Sequence, residues 1–241
     1  MARPGPPGPS LSFVVFGATG AVGGACVRQL LEDPSNTVFT VTRRALDVDP
    51  PNPRLRQIVV ELDDIDKNPD IAKQLDGKVD IALCALGTTR KAAGSAEAFK
   101  RVDVEYVGAA ARLCKNVGVR SFGLVSAQGA NSQLWASDMK FLHGLLYAKS
   151  KGVAEDLVKE QRFPYTVIAR PGLLERGSAA RFAEKMGSWI LPSVHVDQVA
   201  RSLIARTAAN AGEAGGGPGG SDAPAAVVEV LEMADLRART S

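Results

Sequence analysis

The chain has 241 residues, of which 45% are hydrophobic, and its 29 basic and 26 acidic side chains leave a net charge of +3. This length and composition suit one substantial α/β core. The charge is too small and too dispersed to predict nucleic-acid binding, and no apolar run approaches the roughly 20 residues of a membrane span. We therefore expect a globular protein with no nucleic-acid partner and no membrane span.

Cysteines and histidines are few and widely spaced. Cys26, Cys84 and Cys114 form no metal-ligand pattern and are odd in number, which is typical of small buried residues in a reducing compartment. His143 and His195 lack the spacing of paired ligands. We therefore predict that the protein has no metal site.

The N-terminal residues 1–10 are rich in proline and glycine and are predicted to form a flexible segment. They lack the apolar run of a secretory signal, and their four prolines disfavour the amphipathic helix of a mitochondrial presequence. We therefore expect a cytoplasmic protein, with mitochondrial association as the less favoured alternative.

Strand and helix signals alternate along the rest of the chain. The predicted strands lie near 12–16, 38–42, 56–60, 80–85, 121–125, 165–169 and 227–231. The predicted helices lie near 22–32, 70–75, 96–117, 146–161, 181–190 and 194–208. Nearly continuous apolar strands between amphipathic helices predict a parallel sheet covered on both faces. The predicted fold class is therefore α/β, a doubly wound parallel sheet of the Rossmann type.

The predicted domain organisation is simple. Residues 11–241 are expected to form a single Rossmann domain, with a small C-terminal lobe over about 171–241. Within that lobe, 211–226 contains a glycine run and is predicted to be a mobile surface loop.

A glycine-rich turn follows the first predicted strand, where the sequence reads FVVFGATGAVG. A turn from an apolar strand into a helix presents backbone N–H groups that can bind a pyrophosphate. Gly17 permits the tight turn, and Gly20 lets a phosphate group approach the backbone. Gly23 allows the helix to pack closely on the strand. The motif predicts dinucleotide binding, with a plain strand–helix turn as the alternative.

The second predicted strand is followed directly by Arg43 and Arg44. Many NAD-binding folds place an acidic residue there to bind the ribose hydroxyls, whereas guanidinium groups match a phosphate dianion in charge and geometry. The arginine pair therefore favours NADPH/NADP over NAD. The alternative is a pair of solvated surface arginines.

Other turns follow predicted strands at the same edge of the sheet. An acidic residue after the third strand either faces the adenine or is a surface charge. A turn of small residues after the fourth is predicted to pass along the nicotinamide ribose, and a Pro-Gly pair after the sixth to cross the nicotinamide end. These residues are Glu61, then Leu86, Gly87 and Thr88, then Pro171 and Gly172.

The predicted chemistry lies on Ser126, Tyr147 and Lys151. Tyr147 and Lys151 are one helical turn apart and share a face. An ammonium at that distance favours the phenolate, so the tyrosine can exchange a proton with a substrate oxygen near neutral pH. The same lysine can reach a cofactor ribose, and Ser126 follows the fifth strand, where it can orient a carbonyl. The alternatives are a surface aromatic for Tyr147 and a turn cap for Ser126.

Taken together, these motifs resemble the short-chain dehydrogenase/reductase superfamily, in its extended or atypical branch. A narrower resemblance is to the Tat-interacting protein TIP-thirty (CC-three) oxidoreductase group, over about 12–208. It is carried by the run CALGTTR at 84–90, Val102-Asp103, Tyr106-Val107 and Tyr147 to Lys151-Gly152. The resemblance implies an NADPH-binding Rossmann protein with Tyr147 as acid/base and Lys151 as its partner.

The resemblance also implies a set of cofactor contacts. These are Thr19, Gly20, Ala21, Val22, Arg43, Arg44, Leu86, Gly87, Leu174 and, on the phosphate side, Arg181. Two features depart from the family pattern. Residues 133–146 resemble an insertion between Ser126 and Tyr147, and Asp103 lies where many members place a proton-relaying asparagine.

The predicted function is that of an NADPH-dependent oxidoreductase, acting on a small-molecule carbonyl or alcohol substrate. The alternative is an NADP(H)-binding redox sensor or regulatory protein with a protein partner and little turnover. A sugar-nucleotide epimerase is disfavoured, because the C-terminal lobe is short for enclosing a nucleotide sugar. The sequence allows either a monomer or a homodimer.

Overall fold

The computed structural model describes residues 10–48, 50–63, 65–135, 143–175, 193–213 and 226–238. The strands in these ranges are β1 (Ser12–Phe16), β2 (Thr37–Thr42), β3 (Leu55–Val59), β4 (Ile81–Cys84), β5 (Ser121–Val125), β6 (Tyr165–Ala169), β7 (Leu173–Glu175), β8 (Ser193–His195) and β9 (Val227–Leu231). The helices are α1 (Ala21–Glu32), α2 (Pro69–Leu75), α3 (Arg90–Ala93), α4 (Ala96–Lys100), α5 (Tyr106–Asn116), α6 (His143–Glu160), α7 (Val196–Glu213) and α8 (Met233–Arg237).

Seven parallel strands form the main sheet in the order β3-β2-β1-β4-β5-β6-β9. The chain therefore builds outwards from β1 to one edge, returns to β4, and builds to the other edge. This topology confirms the predicted doubly wound α/β class. The strand order reverses between β1 and β4, and ligands of such sheets bind at that point, beyond the carboxyl ends of the strands.

The alternating side chains of β1 explain why helices cover both faces of the sheet. Val14 and Phe16 belong to a buried apolar cluster on the face of α2, α5 and α6. Phe13 and Val15 belong to a second cluster on the face of α1 and α7. Since neighbouring residues of a strand point to opposite faces, an all-apolar strand needs a cover on each side.

The boundaries of most elements agree with the sequence predictions. β1, β5, β6 and β9 match the predicted ranges, and the other main strands begin or end within one residue of them. The predicted helix at 96–117 instead consists of α4, a π-helical turn (Arg101–Glu105) and α5. The separate two-stranded sheet of β7 and β8 was not predicted, because strands of three residues show no clear periodicity.

Several sequence predictions lie outside the described residues. They are residues 1–9 of the N-terminal segment, the helix at 181–190, and most of the loop at 211–226. In the predicted C-terminal substrate lobe, α7 packs on α1 and β9 extends the main sheet. The domain boundaries stay a prediction.

Candidate functional site

The glycine turn has a geometry that two of its glycines require. Gly17 has a φ of +76°, and a Cβ there would lie 2.5 Å from the carbonyl oxygen of Ala85. A Cβ on Gly23 would lie 2.3 Å from the carbonyl oxygen of Gly17. No side chain fits at either distance, so both positions are restricted to glycine. The turn brings α1 directly onto the ends of β1 and β4.

The N-terminus of α1 is open to solvent. Gly20 is the residue before the helix, and its N–H donates to the carbonyl of Gly17 at 2.9 Å. Thr19, Gly20 and Ala21 are exposed. The first N–H groups of a helix have no acceptor within it and carry its positive dipole end. This end of α1 can therefore bind an anion.

A cavity of about 540 Å³ lies at the carboxyl edge of the sheet, beyond β1, β2 and β4. Nine of the predicted cofactor residues line it: Gly17, Thr19, Gly20, Arg43, Arg44, Glu61, Leu86, Gly87 and Thr88. The remaining lining residues are Val41, Thr42, Leu62, Ala85, Val102 and Tyr106. The cavity thus brings together the turns after β1, β2, β3 and β4, as the doubly wound topology requires.

The arginine pair forms one wall of this cavity. Arg43 and Arg44 are both exposed, and the Thr42 hydroxyl donates to the carbonyl of Arg44 at 2.8 Å, which fixes the turn. Tyr106 also lines the cavity, and its hydroxyl donates to Asp63 at 2.8 Å. Burial and this hydrogen bond raise the pKa of Tyr106. The cavity is therefore lined by apolar side chains, such as Val41 and Leu62, together with two exposed arginines.

The turn after β4 connects the cavity to the predicted acid–base helix. Lys151 Nζ lies 2.8 Å from Asp103 Oδ1 and 3.5 Å from the carbonyl oxygen of Leu86. The Thr88 N–H donates to the other oxygen of Asp103 at 2.8 Å. Burial lowers the pKa of Lys151, but the charges of Asp103 and Tyr147 raise it by more, so the net shift is upward. Lys151 is thus a charged group held against the cavity wall.

Tyr147 lies one helical turn before Lys151 on α6, as its spacing predicts. Its half-buried ring packs against Phe99 with the centroids 6.1 Å apart. Lys151 Nζ lies 6.0 Å from the centroid of the Tyr147 ring. Phe99 belongs to a small buried cluster with Ala96 and Leu146. This cluster restricts the ring on the side of α4.

Ser126 is buried and has a partner that the sequence did not suggest. Its hydroxyl donates to Glu155 Oε1 at 2.6 Å. Glu155 is itself buried, and both of its oxygens accept from Arg170, at 2.9 and 2.6 Å. The Ser126 proton is therefore engaged by a carboxylate, and its oxygen keeps lone pairs that can accept a hydrogen bond. The predicted role of Ser126 toward a substrate stays a prediction.

Other predicted cofactor residues do not line the cavity. Ala21, Val22 and Gly23 belong to the first turn of α1, and the latter two are buried. The Gly172 N–H contacts Met233 Sδ at 2.9 Å, and the carbonyl of Pro171 accepts from the Gln128 N–H. Leu174 lies in β7. Arg181 lies outside the described residues.

The sequence did not predict that Asp103 contacts Lys151 or that Glu155 contacts Ser126. Glu155 follows Lys151 by one helical turn. A charged residue on the same face of α6 as Lys151 was therefore the signal that could have identified Glu155. The π-helical turn that carries Asp103 has no sequence signature comparable to a heptad or a glycine fingerprint.

The fold and the site together define a nicotinamide-dinucleotide-binding Rossmann protein. A family model described as NAD(P)H-binding matches residues 17–211, and the chain belongs to this family. The predicted NAD(P)-binding class is thereby confirmed, and a nicotinamide dinucleotide is the cofactor class.

Two curated relatives illustrate this membership. "Protein FMP52, mitochondrial" of Candida albicans is 34% identical over 186 residues, which cover 74% of this chain and 76% of that protein. "Protein HTATIP2" of Rattus norvegicus is 31% identical over 180 residues, which cover 74% of this chain and 68% of that protein. The latter relative confirms the narrower resemblance to the Tat-interacting protein group.

A solved structure supports the fold. MoeE5, in complex with UDP-glucose and NAD, superposes with a TM-score of 0.66 at 17% identity, over 92% of this chain and 75% of that chain. At this identity the match shows the architecture alone. In the described part of the chain, no helix is long and apolar enough to cross a membrane. Nor do the described residues include a cluster of three or more His, Cys, Asp or Glu side chains suited to a metal.

The expectation of a cytoplasmic protein was wrong. Several matching relatives, the Candida albicans protein among them, carry the word mitochondrial in their names. The prolines of residues 1–10 argue against one import signal only, a helical presequence within that segment. They do not bear on other routes into or onto the organelle.

Proposed function

We propose that this protein is an NADP(H)-dependent oxidoreductase that transfers hydride to or from a carbonyl or alcohol. The observation that carries the proposal is one continuous wall of the cavity. It begins at Arg43 and Arg44, passes the glycine turn, and reaches the Leu86–Thr88 turn, against which Lys151 is held. In this proposal the wall binds the polar parts of a dinucleotide, and Lys151, which does not line the cavity itself, contacts the wall at the carbonyl of Leu86.

The residues present fit such a cofactor. Side chains are sterically excluded at Gly17 and Gly23, and the open N-terminus of α1 suits a pyrophosphate. The two arginines suit a ribose 2′-phosphate, since guanidinium groups bind phosphate oxygens in pairs. Lys151 and the backbone of the Leu86–Thr88 turn would hold the nicotinamide ribose. When bound, the nicotinamide supplies or accepts the hydride.

The side chains of this chain then handle the proton. In the reducing direction the Tyr147 phenol donates a proton to the substrate oxygen, and in the oxidising direction the phenolate takes it back. The ammonium of Lys151 stabilises the phenolate through space. Ser126 accepts a hydrogen bond from a substrate hydroxyl, because its own proton is donated to Glu155. The cluster of Phe99 and Leu146 fixes the Tyr147 ring from behind.

A turnover assay tests this proposal. NADPH oxidation by the purified full chain is followed against a panel of aldehydes and ketones, and NADP reduction against alcohols. We expect turnover that Tyr147→Phe reduces by about 100-fold or more, with NADPH affinity retained. Tyr165→Phe, on β6, is the matched control and is expected to retain full activity. Equal turnover by both variants would contradict the assigned role of Tyr147.

A second candidate function, an NADP(H)-binding sensor with little turnover, has its own supporting observation. The hydroxyl of Ser126 is bonded to Glu155, and the ammonium of Lys151 is paired with Asp103. Both groups therefore have partners within the fold that compete with their proposed roles in turnover, toward the substrate for Ser126 and toward the Tyr147 phenolate for Lys151. A sensor would bind NADPH without turning over any member of the panel, and Tyr147→Phe would leave its behaviour unchanged.

We propose a mitochondrial location on the basis of the relatives' names. The test is expression of the full chain with a C-terminal fluorescent tag in yeast, followed by co-localisation with a mitochondrial marker and by fractionation. A diffuse signal with no protein in the mitochondrial fraction would contradict it.

A further inference from the structure

A buried ion pair joins three elements of the candidate site. Asp103 lies on the π-helical turn between α4 and α5, and Lys151 lies on α6. Their side chains are 0% and 7% exposed, and the charged atoms lie 2.8 Å apart. The second oxygen of Asp103 accepts the N–H of Thr88, in the turn after β4. One carboxylate therefore links the helix of the acid–base pair to a turn that lines the cavity.

We propose that Asp103 is a positioning residue that holds Lys151, as an ammonium, against the Leu86–Thr88 turn of the cofactor site. This inference rests on the proposed function for its meaning in catalysis, but the ion pair can be tested without cofactor. The space is tight, since a Cβ on Gly87 would lie 3.1 Å from Lys151 Nζ and 3.3 Å from Asp103 Oδ1. The ammonium thus has little freedom to leave the turn.

The charge of Lys151 depends on Asp103 because every other influence is weaker or opposed. Burial disfavours the ammonium, while Asp103, Tyr147 and, least of all, Cys84 favour it. Burial raises the pKa of Cys84 to about 11, so this thiol stays neutral below pH 10. Without the Asp103 carboxylate, burial dominates and the pKa of Lys151 falls below that of a free lysine.

The change of stability with pH is determined by the difference in protons bound by the unfolded and folded states. In the wild type, the folded-state pKa of Lys151 is raised, so its contribution to stability is complete below the ordinary lysine value and is lost only above it. In Asp103→Asn, the pKa of Lys151 is lower in the folded state than in the unfolded state. Between these two pKa values, the folded state therefore binds fewer protons than the unfolded state. The stability of this variant therefore rises from pH 7 to pH 10. The deficit relative to the wild type must shrink over the same range.

The experiment is a comparison of thermal unfolding at pH 7 and pH 10, without cofactor. Asp103→Asn keeps an acceptor for the Thr88 N–H but removes the charge. We expect its melting temperature to lie roughly 10 °C below the wild type at pH 7, and less than half as far below at pH 10. The control is Asp66→Asn, which breaks a more exposed pair with Arg112 and should cost little at either pH. An equal deficit of Asp103→Asn at both pH values would overturn the proposal.

A double variant covers the case in which Asp103→Asn alone does not fold. Asp103→Asn/Lys151→Met leaves no unpaired buried charge, so we expect it to be more stable than Asp103→Asn at pH 7. A double variant of equal or lower stability would contradict the proposal. Titration with NADPH separates this inference from the proposed function. If the wild-type protein does not bind NADPH, the proposed oxidoreductase function is wrong. The unfolding result tests the ion pair alone.

Binding by the folded Asp103→Asn variant adds a second readout. Between pH 7 and pH 10, we expect its NADPH affinity to fall about tenfold as Lys151 loses its charge, while the affinity of the wild type stays nearly constant. If the NADPH affinity of the variant is reduced by the same factor at every pH, Asp103 acts through packing and not by keeping Lys151 charged. That result would overturn the proposal.

Discussion

Gly23 approaches Gly17 so closely that a Cβ on Gly23 would lie 2.3 Å from the Gly17 carbonyl oxygen. This contact sets the distance between α1 and the turn after β1. It also aims the open end of α1 into the cavity, because the helix begins at Ala21, directly after the Gly20 N–H closes the turn onto the Gly17 carbonyl. The proposed anion site and the packing of the first βαβ unit therefore depend on the same contact between Gly23 and Gly17.

Gly23→Ala is expected to destabilise the protein by about 2–4 kcal/mol, because the methyl group meets backbone atoms that cannot move independently. The measurement is urea unfolding. Gly144→Ala is the matched control, since a Cβ at that helical position meets nothing within 4 Å. There we expect no loss, or a gain of up to about 1 kcal/mol. Two variants of similar stability would show that the close approach is not rigid.

Glu155→Gln is expected to destabilise the protein by about 2–4 kcal/mol, because it removes the charge that pairs with Arg170 while leaving the guanidinium in place. Glu155 is 1% exposed and accepts from both Ser126 and Arg170. Glu160→Gln, at the exposed end of the same helix, should change stability by less than about 0.5 kcal/mol. Equal effects at the two positions would mean that the Glu155 network is not structural.

The three thiols are expected to resist modification in the folded protein. Cys26, Cys84 and Cys114 are all buried and free, and burial raises the pKa of Cys26 to about 12. Because the thiolate is the reactive form, a disulfide reagent at pH 8 should label none of them over minutes and all three after addition of guanidinium. Rapid labelling of the native protein would show that one of these thiols is accessible.

The fold was predictable to the extent that it depends on local pattern. The apolar runs that became β1, β4 and β5 and the glycine turn after β1 carry their own signals, and together they predict the sheet and its ligand edge. The glycine turn also predicted the ligand class, a nicotinamide dinucleotide. The alternation of strands and helices then fixed the doubly wound topology.

The partners of the catalytic candidates were not predictable in this way. Ser126 and Glu155 are 29 residues apart in sequence and meet only because the fold brings α6 next to the residue that follows β5. Asp103 reaches Lys151 because the helix between 96 and 116 contains a π-helical turn. Such a turn depends on what the helix packs against, and single-residue propensities do not encode it.

We propose above all that the cavity binds NADP(H) through Arg43 and Arg44. The most direct test is calorimetric titration of the full chain with NADPH and NADH, repeated on Arg43→Ala/Arg44→Ala. Arg201→Ala/Arg206→Ala, which removes the same charge from exposed positions of α7, is the control. We expect the wild type and the control to prefer NADPH, and the Arg43/Arg44 variant to lose that preference with about 2 kcal/mol of NADPH binding free energy. Equal affinity of the wild type for the two nucleotides, or no binding of either, would contradict the proposed role of the arginine pair.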